Sequence, residues 1–328
     1  MAVVKMILVG LALIVCAVLV GLFVITQSKV SATRAAYPAI GSFVSVNGAK
    51  VHYVDVPADN ASAQVVVFLH GASGNLRDPL SVYRDRLKGQ VRQIFLDRPG
   101  HGWSERGAGD MSAPAAQAKH VRDFLSALDI DKAVLVAHSW SGSVAAAFGV
   151  LFPDRVSGIV MSAPVSHEWP GGVQWFYHAS SMPIIGSIFN HTIAVPAGHS
   201  RVMAATENVF APNPIPDYYE GVVGPTMVLV PSRFAANSED VANLKPRIIE
   251  MSKRYDEITA PMIIITGDQD GIVYSWIHSE GLDRDVPNSR LITLENTGHM
   301  PHHVKPDVFV DAILEIANLK TPGTFATE

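Results

Sequence analysis

Three kinds of hydrophobic pattern divide this chain. Residues 6–26 form one apolar run without a charged residue, dominated by Leu, Val, Ile and Ala. Further along, short and mainly apolar runs recur at residues 64–69, 91–97, 133–136, 158–163, 262–266 and 290–294. Runs of that length, apolar on consecutive positions, fit strands buried on both faces of a parallel sheet. Residues 43–46 and 50–56 alternate instead and flank Asn47-Gly48, which predicts a hairpin. Residues 113–128 set Val121, Phe124, Leu125 and Leu128 at helical spacing. Strand runs alternating with helical segments predict an α/β fold, a mostly parallel sheet with helices on both faces. From residue 164 to about 259 the alternation stops, and Pro, Gly and aromatics such as Trp169, Trp175, Phe176, Tyr177, Tyr218, Tyr219 and Phe234 become frequent. A structureless loop that long is foreign to a compact domain, so this insertion is expected to carry its own helices.

The first run is a separate physical object. A transmembrane helix needs about 20 apolar residues to cross a hydrocarbon core of roughly 30 Å. A secretory signal has a shorter apolar core, about 7–15 residues. Length favours a single membrane anchor over residues 1–30, with cleavage after Ala32 in Val30-Ser31-Ala32 as the alternative. Lys5 and the terminal amine on one side balance Lys29 and Arg34 on the other, so flanking charge barely sets the orientation. A short stub before the span and a long domain after it favour an exported catalytic domain, periplasmic or extracellular. The whole chain is 48% hydrophobic and 17% charged, too apolar for a disordered chain apart from its ends. A net charge of -5 without a dense Lys/Arg cluster argues against a nucleic-acid partner. Cys16 is the one cysteine, so no intramolecular disulfide can form.

The chemistry concentrates where strand runs end. In Val134-Leu135-Val136-Ala137-His138-Ser139-Trp140-Ser141-Gly142, an apolar run stops at a serine and an Ala-rich helical run follows. That is the layout of a nucleophile elbow, a tight strand-to-helix turn that exposes a hydroxyl. Positions two before and two after the nucleophile must be small; here they are Ala137 and Ser141, where glycine is commonest. After residues 262–266 comes Gly267-Asp268-Gln269-Asp270-Gly271-Ile272-Val273, and after residues 290–294 comes Glu295-Asn296-Thr297-Gly298-His299. Serine, acid and histidine thus follow strands in the order Ser, Asp, His.

Together with His70-Gly71-Ala72-Ser73-Gly74 and Asp97-Arg98-Pro99-Gly100-His101-Gly102-Trp103-Ser104, these motifs make the chain resemble the capped α/β-hydrolase fold family, the epoxide-hydrolase-like and esterase-like serine hydrolases. The resemblance runs from about Phe43 to the C-terminus. It implies a core in two parts, residues 40–164 and 260–320, a mainly helical cap over 165–259, and a frayed tail at 321–328. It also implies Ser139 as nucleophile, His299 as base and Asp270, rather than the loop-bracing Asp268, as the acid. The oxyanion hole is expected from the backbone N–H groups of Trp140 and Ala72, with Ser73 as second choice for the latter.

Other histidines are expected elsewhere: His138 buried and hydrogen-bonded, His101 bracing its own loop, His302 and His303 as weaker competitors for the base. His167, His178, His191 and His199 fall in the cap, within potential reach of substrate. Neither a His-Glu-x-x-His nor a Cys-pair spacing supports a metal site, and the chemistry calls for no cofactor. In the resembling epoxide hydrolases and dehalogenases an aspartate occupies the elbow and forms an alkyl ester; a serine forms an acyl ester instead. Carboxylic ester hydrolysis, on a small and apolar substrate, is therefore the leading expectation. The alternatives are C–C bond hydrolysis of dicarbonyl compounds by the same triad, or a ligand-binding protein on a hydrolase fold.

Overall fold

Val, Ile, Leu and Phe fill both faces of the central strands, so a sheet built from them must be covered on both sides. A computed structural model describes residues 1–318 and has that form; the tail expected at 321–328 lies outside the described residues. Helix α1 (Ala2–Ala36) leads into the hairpin β1 (Ser42–Val46) and β2 (Ala49–Val56). The chain continues through β3 (Val65–Leu69), α2 (Arg77–Tyr83), β4 (Arg92–Leu96), α3 (Pro114–Ala127), β5 (Ala133–His138), α4 (Trp140–Leu151) and β6 (Val156–Ser162). An insertion follows: α5 (Trp175–Ser181), α6 (Ile185–Phe189), α7 (Val195–His199), α8 (Val202–Phe210), α9 (Tyr219–Val223), α10 (Pro231–Ala242) and α11 (Leu244–Met251). Then come β7 (Met262–Gly267), α12 (Ser275–Asp285), β8 (Ser289–Leu294), α13 (Pro301–Val304) and α14 (Pro306–Ile316).

The strands form one sheet in the order β1-β2-β4-β3-β5-β6-β7-β8. Pairings β1–β2 and β2–β4 are antiparallel, and all the others are parallel. Asn47 and Gly48 both take positive φ, 51° and 85°, as a two-residue hairpin turn requires. One face packs Phe124, Leu135, Trp140, Phe148 and Ile264 under α3, α4, α11 and α12. The opposite face packs Phe68, Tyr83, Phe95, Ile263 and Phe309 under α2 and α14. Leu244, Ile248 and Tyr255 belong to the first of these clusters, so the last part of the insertion is packed into the main core.

Helix α1 does not stop where the apolar run stops. It continues ten residues to Ala36, and Thr26 at the end of the run, with Val30 and Thr33 on the extension, is buried against the insertion. The preceding apolar window is wholly unburied and has a mean hydropathy of 3.2.

A polar staple joins the insertion to the core. The Arg98 guanidinium donates to Asp240 Oδ2 at 2.7 Å, with side-chain exposures of 1% and 0%. Arg106 reaches Asp240 Oδ1 at 2.8 Å, Arg98 stacks over the Trp140 ring, and the Trp140 indole N–H donates to the Asp240 carbonyl. Removing one member of a buried pair leaves its partner desolvated and unpaired, a loss of about 3–5 kcal/mol. Asp240→Ala is therefore expected to lower stability by roughly that amount. Glu250→Ala, which breaks an exposed pair with Lys253, is expected to leave it unchanged. Chemical denaturation of the two variants beside the parent checks the contrast.

Candidate active site

The parallel strands deliver three loops to one edge of the sheet. At the end of β5, Ser139 adopts φ 52° and ψ -118°, a conformation that L-residues avoid. Three backbone hydrogen bonds hold it there: its N–H donates to Ser162 O, and its carbonyl accepts from the N–H groups of Gly142 and Val165. Crowding explains the small neighbours. Ala137 and Ser141 are fully buried, and a Cβ on Gly142 would collide with Pro164. Ser141 departs from glycine to some purpose, since its hydroxyl donates to the His70 carbonyl at 2.5 Å and ties the elbow to the end of β3.

Ser139, His299 and Asp270 come together at this edge. Ser139 Oγ lies 2.9 Å from His299 Nε2, and His299 Nδ1 lies 2.7 Å from Asp270 Oδ2. An ionised carboxylate only accepts, so the proton sits on Nδ1 and leaves Nε2 free to accept from the serine hydroxyl. Asp270 Oδ1 in turn accepts from the N–H groups of Ile272 and Val273, at 2.8 and 2.9 Å, which fixes the carboxylate plane. Asp268 instead accepts from the N–H of Thr297 and braces the loop that carries His299. All three triad side chains are buried, Ser139 to 7% exposure.

The loop after β3 passes close over the nucleophile. A Cβ on Gly71 would stand 3.1 Å from Ser139 Cβ and 2.8 Å from His138 Nδ1, so only glycine fits. This brings the Ala72 backbone to the serine. The second-choice donor, the N–H of Ser73, is already engaged by Asn237 Oδ1 at 2.6 Å. The N–H of Trp140, at the first position of α4, precedes the helix's own hydrogen-bond ladder.

The other histidines have partners of their own. His138 Nε2 donates to the His299 carbonyl, and His101 lies against Arg98 and the Pro99 carbonyl. His302 and His303 turn away from Ser139 toward Asp78. In the insertion, His167 bonds Ser166 and Asp285, and His191 packs against Phe23 of α1. Among the described residues one group, Asp78 with His302 and His303, holds ligand-type atoms within 4.8 Å of one another. Hydrogen bonds already use every ring nitrogen there: both Nε2 atoms donate to Asp78, while the Nδ1 atoms accept from Ser162 and Tyr218 hydroxyls. The group thus works as a brace between α2 and α13, the turn just after His299.

Two residues that the sequence analysis passed over help to shape the site. Asn237 fixes the loop after β3 through Ser73, and Asp240 holds the elbow tryptophan. They stand three apart on α10, one helical face, and that spacing of polar residues beside Ala235-Ala236 was the available signal.

Burial lowers the pKa of His70 and His278 to about 4, and takes His101, His138 and His302 below the ordinary histidine value. The unfolded chain protonates all five near pH 6.5. As pH falls below 6.5 the unfolded state therefore binds more protons than the folded one. Stability declines by about 1.4 kcal/mol per pH unit per histidine until the folded-state pKa is passed. The melting temperature is expected to drop steadily from pH 7 to pH 4 at constant ionic strength, with a shallower slope for His278→Asn. A flat profile would mean that these rings take up protons in the fold as readily as in the unfolded chain.

Comparison with known proteins agrees with this architecture. Haloalkane dehalogenase 2 of Mycobacterium tuberculosis is 24% identical over 296 residues, 85% of this chain and 95% of that protein. The enol-lactonase of Burkholderia xenovorans LB400 superposes with a TM-score of 0.68 at 17% identity, over 84% of this chain and 100% of that one. A bacterial membrane phospholipase A superposes with a TM-score of 0.66 at 18% identity, over 96% of this chain and 98% of that one. The unmatched 4% is shorter than α1, so that likeness includes part of the N-terminal helix. Residues 66–312, most of the sheet together with the elbow, the acid and the histidine, match the family profile, and the chain belongs to the alpha/beta hydrolase family.

Proposed function

We propose that this protein is a membrane-anchored serine hydrolase that cleaves carboxylic esters through an acyl-enzyme on Ser139. The observation that carries the reading is the unbroken hydrogen-bond chain from Ser139 Oγ through the His299 ring to Asp270. His299 takes the serine proton as Oγ attacks the acyl carbon, and Asp270 stabilises the imidazolium that forms. The N–H groups of Ala72 and Trp140 receive the oxyanion. His299 then protonates the leaving alcohol, and water, deprotonated by the same ring, releases the acid.

The elbow serine argues against dehalogenation, whatever the relative's name. An alkyl group displaced from a halide onto serine would be an ether, which water does not cleave. An acyl group on the same oxygen is an ester and turns over. An apolar acyl or alcohol portion suits the aromatic and aliphatic lining of such pockets. Helix α1, unburied over its apolar window, supports a single anchor. The membrane phospholipase A likeness is in keeping with a substrate drawn from or near the bilayer.

Nitrophenyl esters of increasing acyl length, offered to the full chain in detergent micelles, test the proposal. A burst followed by turnover is expected. Ser139→Ala and Asp270→Asn should each lower kcat by about 10⁴-fold or more. Folded protein that ignores every ester yet cleaves a vinylogous diketone would assign the triad to C–C hydrolysis instead.

A further inference from the structure

Between Trp169 and Ser200 the insertion contains no Asp, Glu, Lys or Arg. In a chain that is 17% charged, a stretch of that length would ordinarily hold about five. The structure turns its apolar side chains outward. Trp175 is 69% exposed and Ile184 78%, and Met182, Ile185, Ile188 and Ile193 are exposed beside them. Trp175 packs against Phe189 at the end of α6, so these residues form one continuous patch around α5, α6 and the following turn. Ile184 takes φ 61°, a strained conformation for a β-branched residue, and yet it covers nothing in the protein. Monomers in water rarely leave a patch of this kind uncovered.

The position of α1 identifies what covers it. Residues 190–194 pack directly on α1, with the His191 ring 6.4 Å from that of Phe23. Phe23 lies inside the apolar run, one turn before its end at residue 26. Whatever touches Phe23 therefore stands at the depth where the span leaves the hydrocarbon. The first cations after the run, Lys29 and Arg34 on α1 and Arg201 at the close of the charge-free stretch, come just beyond that level. Cations there suit a headgroup region, and an exposed Trp suits the interface below it.

We propose that the α5–α6 face of the insertion is embedded in the leaflet on the domain's side of the membrane, as an interfacial patch continuous with α1. Side chains of this kind sink about 5–10 Å below the headgroup boundary. The domain would then lie flat against the bilayer, held by the insertion and the span together, and it would not swing on α1 as a tether. The inference rests on the reading of α1 as a membrane span.

Single cysteines test both and keep them apart. In full-length protein reconstituted into phosphatidylcholine–phosphatidylglycerol vesicles, an environment-sensitive dye on the native Cys16 reports α1. The same dye on Cys16→Ser/Ile184→Cys reports the patch, and on Cys16→Ser/Lys132→Cys it reports an exposed site at the start of β5. Expected are quenching by spin-labelled lipid and protection from iodide at Cys16 and Ile184, with the reverse at Lys132. The label nearest the headgroup should quench most at Ile184, and a deeper one at Cys16. Iodide reaching Ile184 while Cys16 stays protected would overturn the docking and leave the anchor standing. Iodide reaching Cys16 as well would overturn the anchor itself. Protection of Ile184 that ignores lipid quenchers and disappears on dilution of protein in the bilayer would assign the patch to a second copy of the chain.

Discussion

The backbone of Ser139 is the constraint from which the rest of the site follows. A residue forced to φ 52° between a strand and a helix persists only if its surroundings over-determine it. Here that means hydrogen bonds from two sides and a ring of small residues. Ser162 at the end of β6 takes its N–H, while Gly142 and Val165 compete for its carbonyl. Ala137, Ser141, Gly142 and Gly71 leave the space into which the turn folds. Because β5 is central in a parallel sheet, the loops after β3, β7 and β8 open on the same edge. Gly71, Asp270 and His299 meet around the serine without any of them lying close to it in the chain.

Buried polarity supports this geometry, and most of it is paired. Arg98, Asp240 and Trp140 lock α10 to the elbow, and Asp78 with His302 and His303 locks α2 to the turn behind His299. A charge without its partner is far more costly to bury than the pair. Such networks therefore resist partial loosening better than they add net stability. That is a suitable property around a triad whose oxygen and nitrogen atoms must be held within tenths of an ångström.

What was legible in the sequence was local. The strand runs, the Asn47-Gly48 turn, the elbow and the order Ser, Asp, His all show as short patterns, because each depends on residues a few positions apart. The boundaries drift by one or two residues: the helix expected at 113–128 is Pro114–Ala127, and the strand expected at 158–163 is Val156–Ser162. The partnerships that set the site were not legible. Asp78 pairs with His303 across 225 positions, and Arg98 with Asp240 across 142. No local periodicity announces such a pair. Within the insertion the helices are five to twelve residues long, and most are too short to display a full amphipathic period. The end of α1 was hidden for a related reason. Residues past 26 lose their apolar pattern but keep helical geometry, and only packing against the insertion shows that they stay helical.

The insertion itself divides in two by the kind of contact it makes. Its later part is committed to the core: α10 through Asn237 and Asp240, and α11 through Leu244 and Ile248 in the main apolar cluster. Its earlier part, α5 to α7, consists of helices of five to seven residues with exposed apolar surface and few buried side chains. Helices that short hold their shape by packing and not by their own hydrogen bonds. Local opening draws on segments with little buried contact. Ser139 is enclosed, and α10 is held in place beside it, because moving it would strip Arg98 and Trp140 of their partners at once. Helix α5 nevertheless packs on α10, with the Phe176 ring against that of Phe234, so the charge-free apolar face is carried by short helices that are themselves seated on the part committed to the core.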